Sequence, residues 1–527
     1  MHWVRETKGK RMNRPRRQIC FCLSWAAGNL LAACLAAPAR ASQTVPATYR
    51  VVEWGAKADG KAKDTQAIQK TIDVCTERGG GTVYFPPGTY LSGSLHLRQH
   101  VALYLDHGAI IKASAEENDF DPYEELGFQN EADRETSFFH HSLIWAEEVE
   151  HVAILGTGTI DGNRAKRGGP KPIALKRCQH VAIKDITIRN APNYAISLLG
   201  TDDVNIDGVN ILNGYCDGID PDACRHVRIA NCQIETWDDA IVPKASFSLG
   251  VRRAVEYLTV TNCILATNCS AFKLGTESGG DFRGITVNNC LMRDRATGRP
   301  PMSGIALESV DGGDLEGVTI SNIAMVNVRA PIFLRLGNRG RDRSTPAAGT
   351  LRNVIISNVV AIGAKQACPL TGIPDHALQN ITLDNIQIAF VGGGTAAQTS
   401  VSVPEEERKY PEATMFGTLP SYGLYCRHVE GLRLRNTHLT LQAPDYRHAL
   451  VLDDVSRVVI DSLEADRSAG AEAALRFRGV RKALIGTCMR PERMSDFLKV
   501  VDGAMKEIEF VGNDAQSAKR DREANRE

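Results

Sequence analysis

HVAIKDITI, from His180 to Ile188, alternates apolar and other residues with a period of two, then bends. The same phrase recurs as HVAILGTGTI from His151, DVNIDGVNI from Asp203, HVRIANCQI from His226, YLTVTNCIL from Tyr257 and GITVNNCLM from Gly284. GVTISNIAM from Gly317, NVIISNVVA from Asn353 and NITLDNIQI from Asn380 continue the series, with weaker copies at Gly431 and Arg457. Strict alternation over so few residues describes a short half-buried strand. The spacings run 29, 23, 23, 31, 27, 33, 36, 27, 51 and 26 residues, and the connections lack helical periodicity. About 23 residues suit one coil of a β-solenoid, with the longer spacings being coils that carry loops. The expected fold is an all-β, right-handed parallel β-helix. Alternating β/α units would need an amphipathic helix in each connection.

Asn231, Asn262, Asn289, Asn322 and Asn385 occupy one place in successive phrases, as do Cys232, Cys263 and Cys290. Such residues stack. The asparagines are expected inside, bonded along the axis, and the cysteines as small buried hydrophobes. Asp64 to Gly81 reads as an N-capped amphipathic helix ended by glycines, covering the open first coil. The stretch from Ala389 to Tyr425 is the longest insertion and carries Tyr410, Phe416 and Tyr422.

The zero formal charge of the 527 residues hides an asymmetry. Residues 1–41 hold eight Lys/Arg and one acid, so the remainder has 62 − 8 = 54 basic and 62 − 1 = 61 acidic residues. A net charge near −7 points away from nucleic acid and anionic membranes. Residues 1–41 read as an export signal: a basic RMNRPRR, an apolar stretch, and Ala39-Arg40-Ala41 as the cleavage site before Ser42. That predicts a secreted or periplasmic protein. A lipid-modified start at Cys34 and a twin-arginine signal at Arg16-Arg17 rank lower. Residues 42–512 then form one β-helix domain, with a cap over about 42–110, and 513–527 a charged disordered tail. Eleven cysteines beyond the leader, an odd number with no CxxC pair, argue against a disulfide framework or a zinc site.

Chemistry concentrates in CDGIDPDACRHVRIANCQIETWDDAIVPK, from Cys216 to Lys244. Asp217 and Asp238 are 21 residues apart, about one coil, and stacked strands lie roughly 4.8 Å apart. The spacing therefore gathers Asp217, Asp238 and Asp239 into one patch, where like charges raise at least one pKa. Such a patch suits acid-catalysed glycoside cleavage. A solvated acidic turn or a calcium site fits the spacing equally well.

CDGID (Cys216–Asp220) and WDD (Trp237–Asp239) resemble the NTDGID and GDD motifs of polygalacturonases, glycoside hydrolase family 28. GTIDG (Gly158–Gly162), NAPNYAI (Asn190–Ile196) and the opening YRVVEWGAKADGKAKDTQAIQKTID also resemble family phrases. The resemblance spans roughly Tyr49 to Ile388. It implies an inverting hydrolase of uronate-containing poly- or oligosaccharide, with Asp238 as general acid and Asp217 and Asp239 on the water. It implies no cofactor or metal, and a monomer is expected.

The pattern departs from the family at two places. The histidine of GHG becomes Ser270, and the basic residues of RIK become Ala306 and Glu308. In the family those bases hold the substrate carboxylate, which Glu308 would repel. Lys273, Glu277 and Arg335 are polar candidates nearby. Lys273 either replaces the lost cation or forms a structural ion pair with Glu277 or Glu308. Trp237 is either a sugar-stacking platform or local packing. His140 and His141 read as rim or packing residues, and Lys244 and Arg339 as possible cleft bases with a surface default. Two alternatives stay open: a lyase using Lys273 as base, and a non-catalytic carbohydrate-binding solenoid.

Overall fold

A computed structural model of the chain describes residues 47–466, 471, 473–488, 496–502 and 507–512. The segment read as an export signal and the tail 513–527 lie outside the described residues. The recurring phrases are stacked strands. Val152, Val181, Val204, Val227, Leu258, Ile285, Val318, Val354 and Ile381 fall in one parallel register column. All of them are buried. Coil upon coil, the chain winds as a right-handed parallel β-helix.

Cys232, Cys263 and Cys290 form a buried inward column, as their place in the phrase predicts. The asparagine column is real but faces the other way. Asn231, Asn262, Asn289 and Asn322 are exposed and Asn385 is half-buried, and the exposed Asn358 and Asn436 join them. Each sits in the left-handed region, with φ of 57° at Asn231 and 54° at Asn262. Asparagine tolerates that conformation better than other residues with a side chain, so it marks the bend. The outward amides then bond from coil to coil, at 2.6 Å for Asn262 to Asn231 and 3.0 Å for Asn358 to Asn322.

Helix α1 (Thr65–Glu77) buries Ile68, Ile72 and Cys75 in the core. Asp64 does not cap it with its side chain. Its carboxylate accepts instead from the amides of Lys57 and Ala58, at 2.6 and 3.0 Å, tying down the preceding turn.

One sheet positions the chemistry. It runs through Ser142–Glu147, Lys171–Lys176, Ile196–Leu199 and Ile219–Asp222. Single bridges carry it through Ile241 to Ser270–Leu274, then Ser303–Ser309 and Ala330–Leu336 follow. Alternate residues of each strand point outward, and loops cover them on both sides of the middle. On the N-terminal side Phe139 and Leu249 pack over Ala174, Leu199 and Ala223. On the C-terminal side Met415, Phe416 and Leu419 of the long insertion pack over Ala306, Ala330 and Phe333.

Candidate active site

Between those two covered stretches lie the aspartates. Ile219 bridges Ile241, an offset of 22 residues, so Asp217 stands level with Asp239 and Cys216 with Asp238. A coil of about 21–23 residues, as expected from sequence, pairs Asp217 with Asp238. The register is one residue different, and the bend at Asp238 brings all three together regardless. Oxygens of Asp217 and Asp238 lie within 4.8 Å of each other, as do those of Asp238 and Asp239. The thiol of Cys216 is as close to the first pair and that of Cys269 to the second. Gly218 makes this approach possible: a Cβ there would stand 2.4 Å from the carbonyl oxygen of Ala240 on the next coil.

Two buried lysines divide the cluster. Lys244 Nζ lies 3.0 Å from Asp217 Oδ2, 2.8 Å from Asp220 Oδ1 and 2.8 Å from the Tyr194 hydroxyl. Lys273 Nζ lies 3.1 Å from Asp239 Oδ2, while the Ser270 amide donates to Asp239 Oδ1 at 2.7 Å. Burial and the neighbouring Asp238, Asp220 and Asp239 push Asp217 well above the usual carboxylate range, against the pull of Lys244. Burial also works against ionised Asp239, but Lys273 and the Ser270 amide outweigh it and hold that group low. Burial disfavours the charge on Lys273 too, yet Asp239 more than compensates and keeps it protonated. The site thus sets a carboxyl whose protonated form is favoured beside one whose ionised form is favoured.

Asp238 differs from both neighbours. Its side chain is 28% exposed, and Arg167 Nη1 meets its Oδ2 at 2.6 Å. Its backbone carbonyl accepts from Thr236 at 2.7 Å and also from Thr267, which fixes the bend.

The remaining expected residues fare unevenly. Ser270 contributes its amide, as described, from a buried position. Glu277 is buried and bound to Arg341 at 3.0 Å. Glu308 does not face a substrate: it is 1% exposed, 3.9 Å from Lys273, with Oε2 lacking a hydrogen-bond partner. Burial pushes its carboxyl up to about 8. Arg335, expected among substrate-binding groups, is wholly buried. It donates to the carbonyls of Gly372, Glu405 and Glu406 at 2.8–3.0 Å, so it anchors the insertion. Trp237 is 45% exposed, but its ring stacks with Tyr215 at 6.1 Å and lies 4.4 Å from the Arg295 guanidinium. Those groups from other coils pack against part of the ring and leave the rest to solvent. His140 pairs with Glu147 at 2.8 Å and stacks on Trp145, and Arg339 is clamped to Asp311 at 2.6 Å.

Lys244, given a surface default from sequence, is in fact the buried hub of the site. A signal existed: Asp222 and Lys244 are 22 residues apart, the offset of Asp217 and Asp239, and they bridge one another. Cys216 and Tyr194 also stand one coil from Asp238 and Asp217, whereas Arg167 and Cys269 had no such signal, because an inserted loop sets the place of each.

The sequence profile of Glycosyl hydrolases family 28 matches residues 125–407, which contain every group described in this site. An exopolygalacturonase of Platanus acerifolia is 24% identical over 399 residues, covering 69% of this chain and 96% of the relative. A polygalacturonase of Ralstonia nicotianae is 25% identical over 457 residues, covering 70% and 82%. Among solved structures, the family 28 exopolygalacturonase of Yersinia enterocolitica superposes with a TM-score of 0.61 at 19% identity, over 78% of both chains. The exopolygalacturonase of Thermotoga maritima does so at 0.56 and 21%, over 65% of this chain and 87% of that one. The β-helix, the carboxylates stacked one coil apart and the profile match agree: this chain belongs to glycosyl hydrolases family 28.

Proposed function

We propose that this glycoside hydrolase cleaves a pectin-like, uronate-bearing poly- or oligosaccharide, with Asp238 protonating the leaving oxygen. The observation that carries this reading is the meeting of three carboxylates from adjacent coils around one exposed member. Asp238 alone of the three reaches solvent, so it is the one that can touch a glycosidic oxygen. Asp239, held ionised, takes a proton from the attacking water. Asp217, whose protonated form burial favours, lies beside Asp238 and orients the water. General acid and base then act on one glycosidic bond.

The nearest oxygens of Asp217 and Asp238 are closer than the ~6.5–9.5 Å usual between the carboxyl groups of inverting enzymes. Both flanking carboxyl groups are nevertheless buried, within reach of a water but not of the anomeric carbon of a sugar. We therefore assign inversion. A lyase reading would need Lys273 as base, and a buried ammonium held by Asp239 has no vacant lone pair to accept a proton.

Loops seal the outward face on both sides of Asp238, which favours chain ends or short oligosaccharides over the interior of a long polymer. The test is digestion of polygalacturonate and oligogalacturonides. Mono- or disaccharides should appear early while viscosity falls slowly, and the new reducing end should carry the inverted anomer by proton NMR. Products with ultraviolet absorption from a double bond, or none at all, would refute the hydrolase reading. A fast viscosity drop would refute only the chain-end mode.

We further propose that residues 1–41 direct export and that the mature chain is a monomer starting near Ser42. N-terminal sequencing of secreted material tests the start, and an acylated Cys34 would replace it. No helix among the described residues is long and apolar enough to cross a membrane.

A further inference from the structure

The family's substrate-carboxylate cations are missing at positions 306 and 308, and the structure closes that place altogether. Ala306 lies beneath Phe333, Met415 and Phe416, and Glu308 is buried beside Lys273. A sugar acid must therefore be received elsewhere. The other basic groups around the cluster are spent. Lys244 and Lys273 are buried in ion pairs with the aspartates. Arg341 is bound to Glu277, Arg339 to Asp311, and the Arg295 side chain is 3% exposed against Glu235.

Arg167 is different. It projects from the loop joining Thr159–Asp161 to Lys171–Lys176, and its side chain is 47% exposed. The base of that loop is held in place: Asn163 donates to the Ala113 carbonyl and Arg164 to that of Ser114, both at 2.9 Å. Its tip carries Arg167 onto Asp238 at 2.6 Å and towards Glu135 at 3.2 Å. A guanidinium offers a fork of donors that fits a carboxylate two bonds at a time.

We propose that Arg167 receives the uronate carboxylate of the substrate, and that in doing so it exchanges partners with Asp238. In the free protein Arg167 holds Asp238. A sugar carboxylate entering the opening takes the guanidinium, and Asp238, free of that cation, takes up a proton from solvent and turns to the glycosidic oxygen. Recognition of the charged sugar and release of the general acid become one event. Arg167 then serves turnover as well as binding, because part of the binding free energy is realised only when the acid is engaged. The cation for substrate charge has moved from the coils after the aspartates to a loop on the coils before them. This proposal rests on the hydrolase reading for its kinetic part and on binding alone for the rest.

The experiment compares wild type, Arg167→Gln and Arg167→Lys on trigalacturonate and on its methyl ester. Both kcat and KM are measured, and binding of the two probes is followed by calorimetry. For Arg167→Gln, kcat/KM and affinity for the free acid should fall about 10–100-fold, the scale of a charge-assisted bidentate contact. Values for the ester should change far less, so the preference for the acid disappears, and Arg167→Lys should recover part of it. Equal losses on acid and ester would show that Arg167 only positions Asp238, and would overturn the proposal. So would wild-type binding that does not distinguish acid from ester. If wild type binds the acid through Arg167 but cleaves neither probe, the hydrolase reading falls and the Arg167 assignment stands.

Discussion

Asp238→Asn should lower kcat by about 10²–10⁴ while the β-helix stays folded and oligosaccharide binding survives. The amide keeps the carboxyl's shape but has no proton to donate at a useful pKa. The variant is also the cleanest of the three, for a physical reason. Asp238 is partly exposed, and its Arg167 partner retains Glu135. Asp239→Asn, by contrast, would leave the buried Lys273 ammonium without its close carboxylate, at a cost of about 3–5 kcal/mol in stability. Lost activity there would mix unfolding with chemistry. Asp217→Asn lies between, since Lys244 keeps Asp220 at 2.8 Å.

The pH–rate profile separates the roles further. Turnover needs a protonated acid and an ionised base. Asp239 is held below the ordinary aspartate value of about 3.9, so the acid limb should lie below it. Asp217 is held well above that value, so its proton should sustain activity to higher pH before the basic limb falls. Asp217→Asn should move the basic limb to lower pH. A basic limb that does not move would remove Asp217 from the proton inventory, and full activity of Asp238→Asn would end the assignment of the general acid.

Glu308→Lys restores the residue type that the family carries at this place, and it should unfold the protein rather than improve it. It would set a second ammonium about where Glu308 meets Lys273, at 3.9 Å, in a position that is 1% exposed. An unpaired buried charge costs at least about 3 kcal/mol, and here two like charges share one dry site. Glu308→Gln should do the reverse. The carboxyl is pushed from 4.5 up to about 8 in the folded protein, so folding favours its protonated form. That stabilisation is complete below about pH 4.5 and is lost as the pH rises to about 8. At ~1.4 kcal/mol per pH unit the loss reaches at most about 5 kcal/mol. The glutamine variant escapes this loss. Its melting temperature should match wild type near pH 4 and exceed it increasingly towards pH 8. Parallel melting curves across that range would show that Glu308 is not the buried acid described, and a stable, more active Glu308→Lys would show that the 403–419 cover opens to substrate.

How much of this was legible beforehand depends on which periodicity carried it. The β-helix was readable because each coil repeats a period-two phrase, and one-face burial specifies register without reference to other coils. The cysteine column followed from the same rule, since a buried position in one coil is buried in the next. The meeting of Asp217, Asp238 and Asp239 was readable as well, because one coil of separation in sequence becomes one strand spacing in space.

The asparagine column marks where that logic ends. Its position in the phrase was plain, but its direction depended on backbone conformation at the bend, where a left-handed φ turns the side chain outward. The substrate side of the site was decided by tertiary structure alone. Glu308, Arg335 and Ala306 lie at the right rungs, yet the insertion after Phe390 folds back over them, and no local pattern announces where a long loop will land. Arg167 reaches Asp238 across 71 residues of sequence for the same reason. Residue periodicity determined the coils and the carboxylates that they stack. Loops without periodicity decided which of those groups meet water, which stay charged, and which cation is left to meet a substrate.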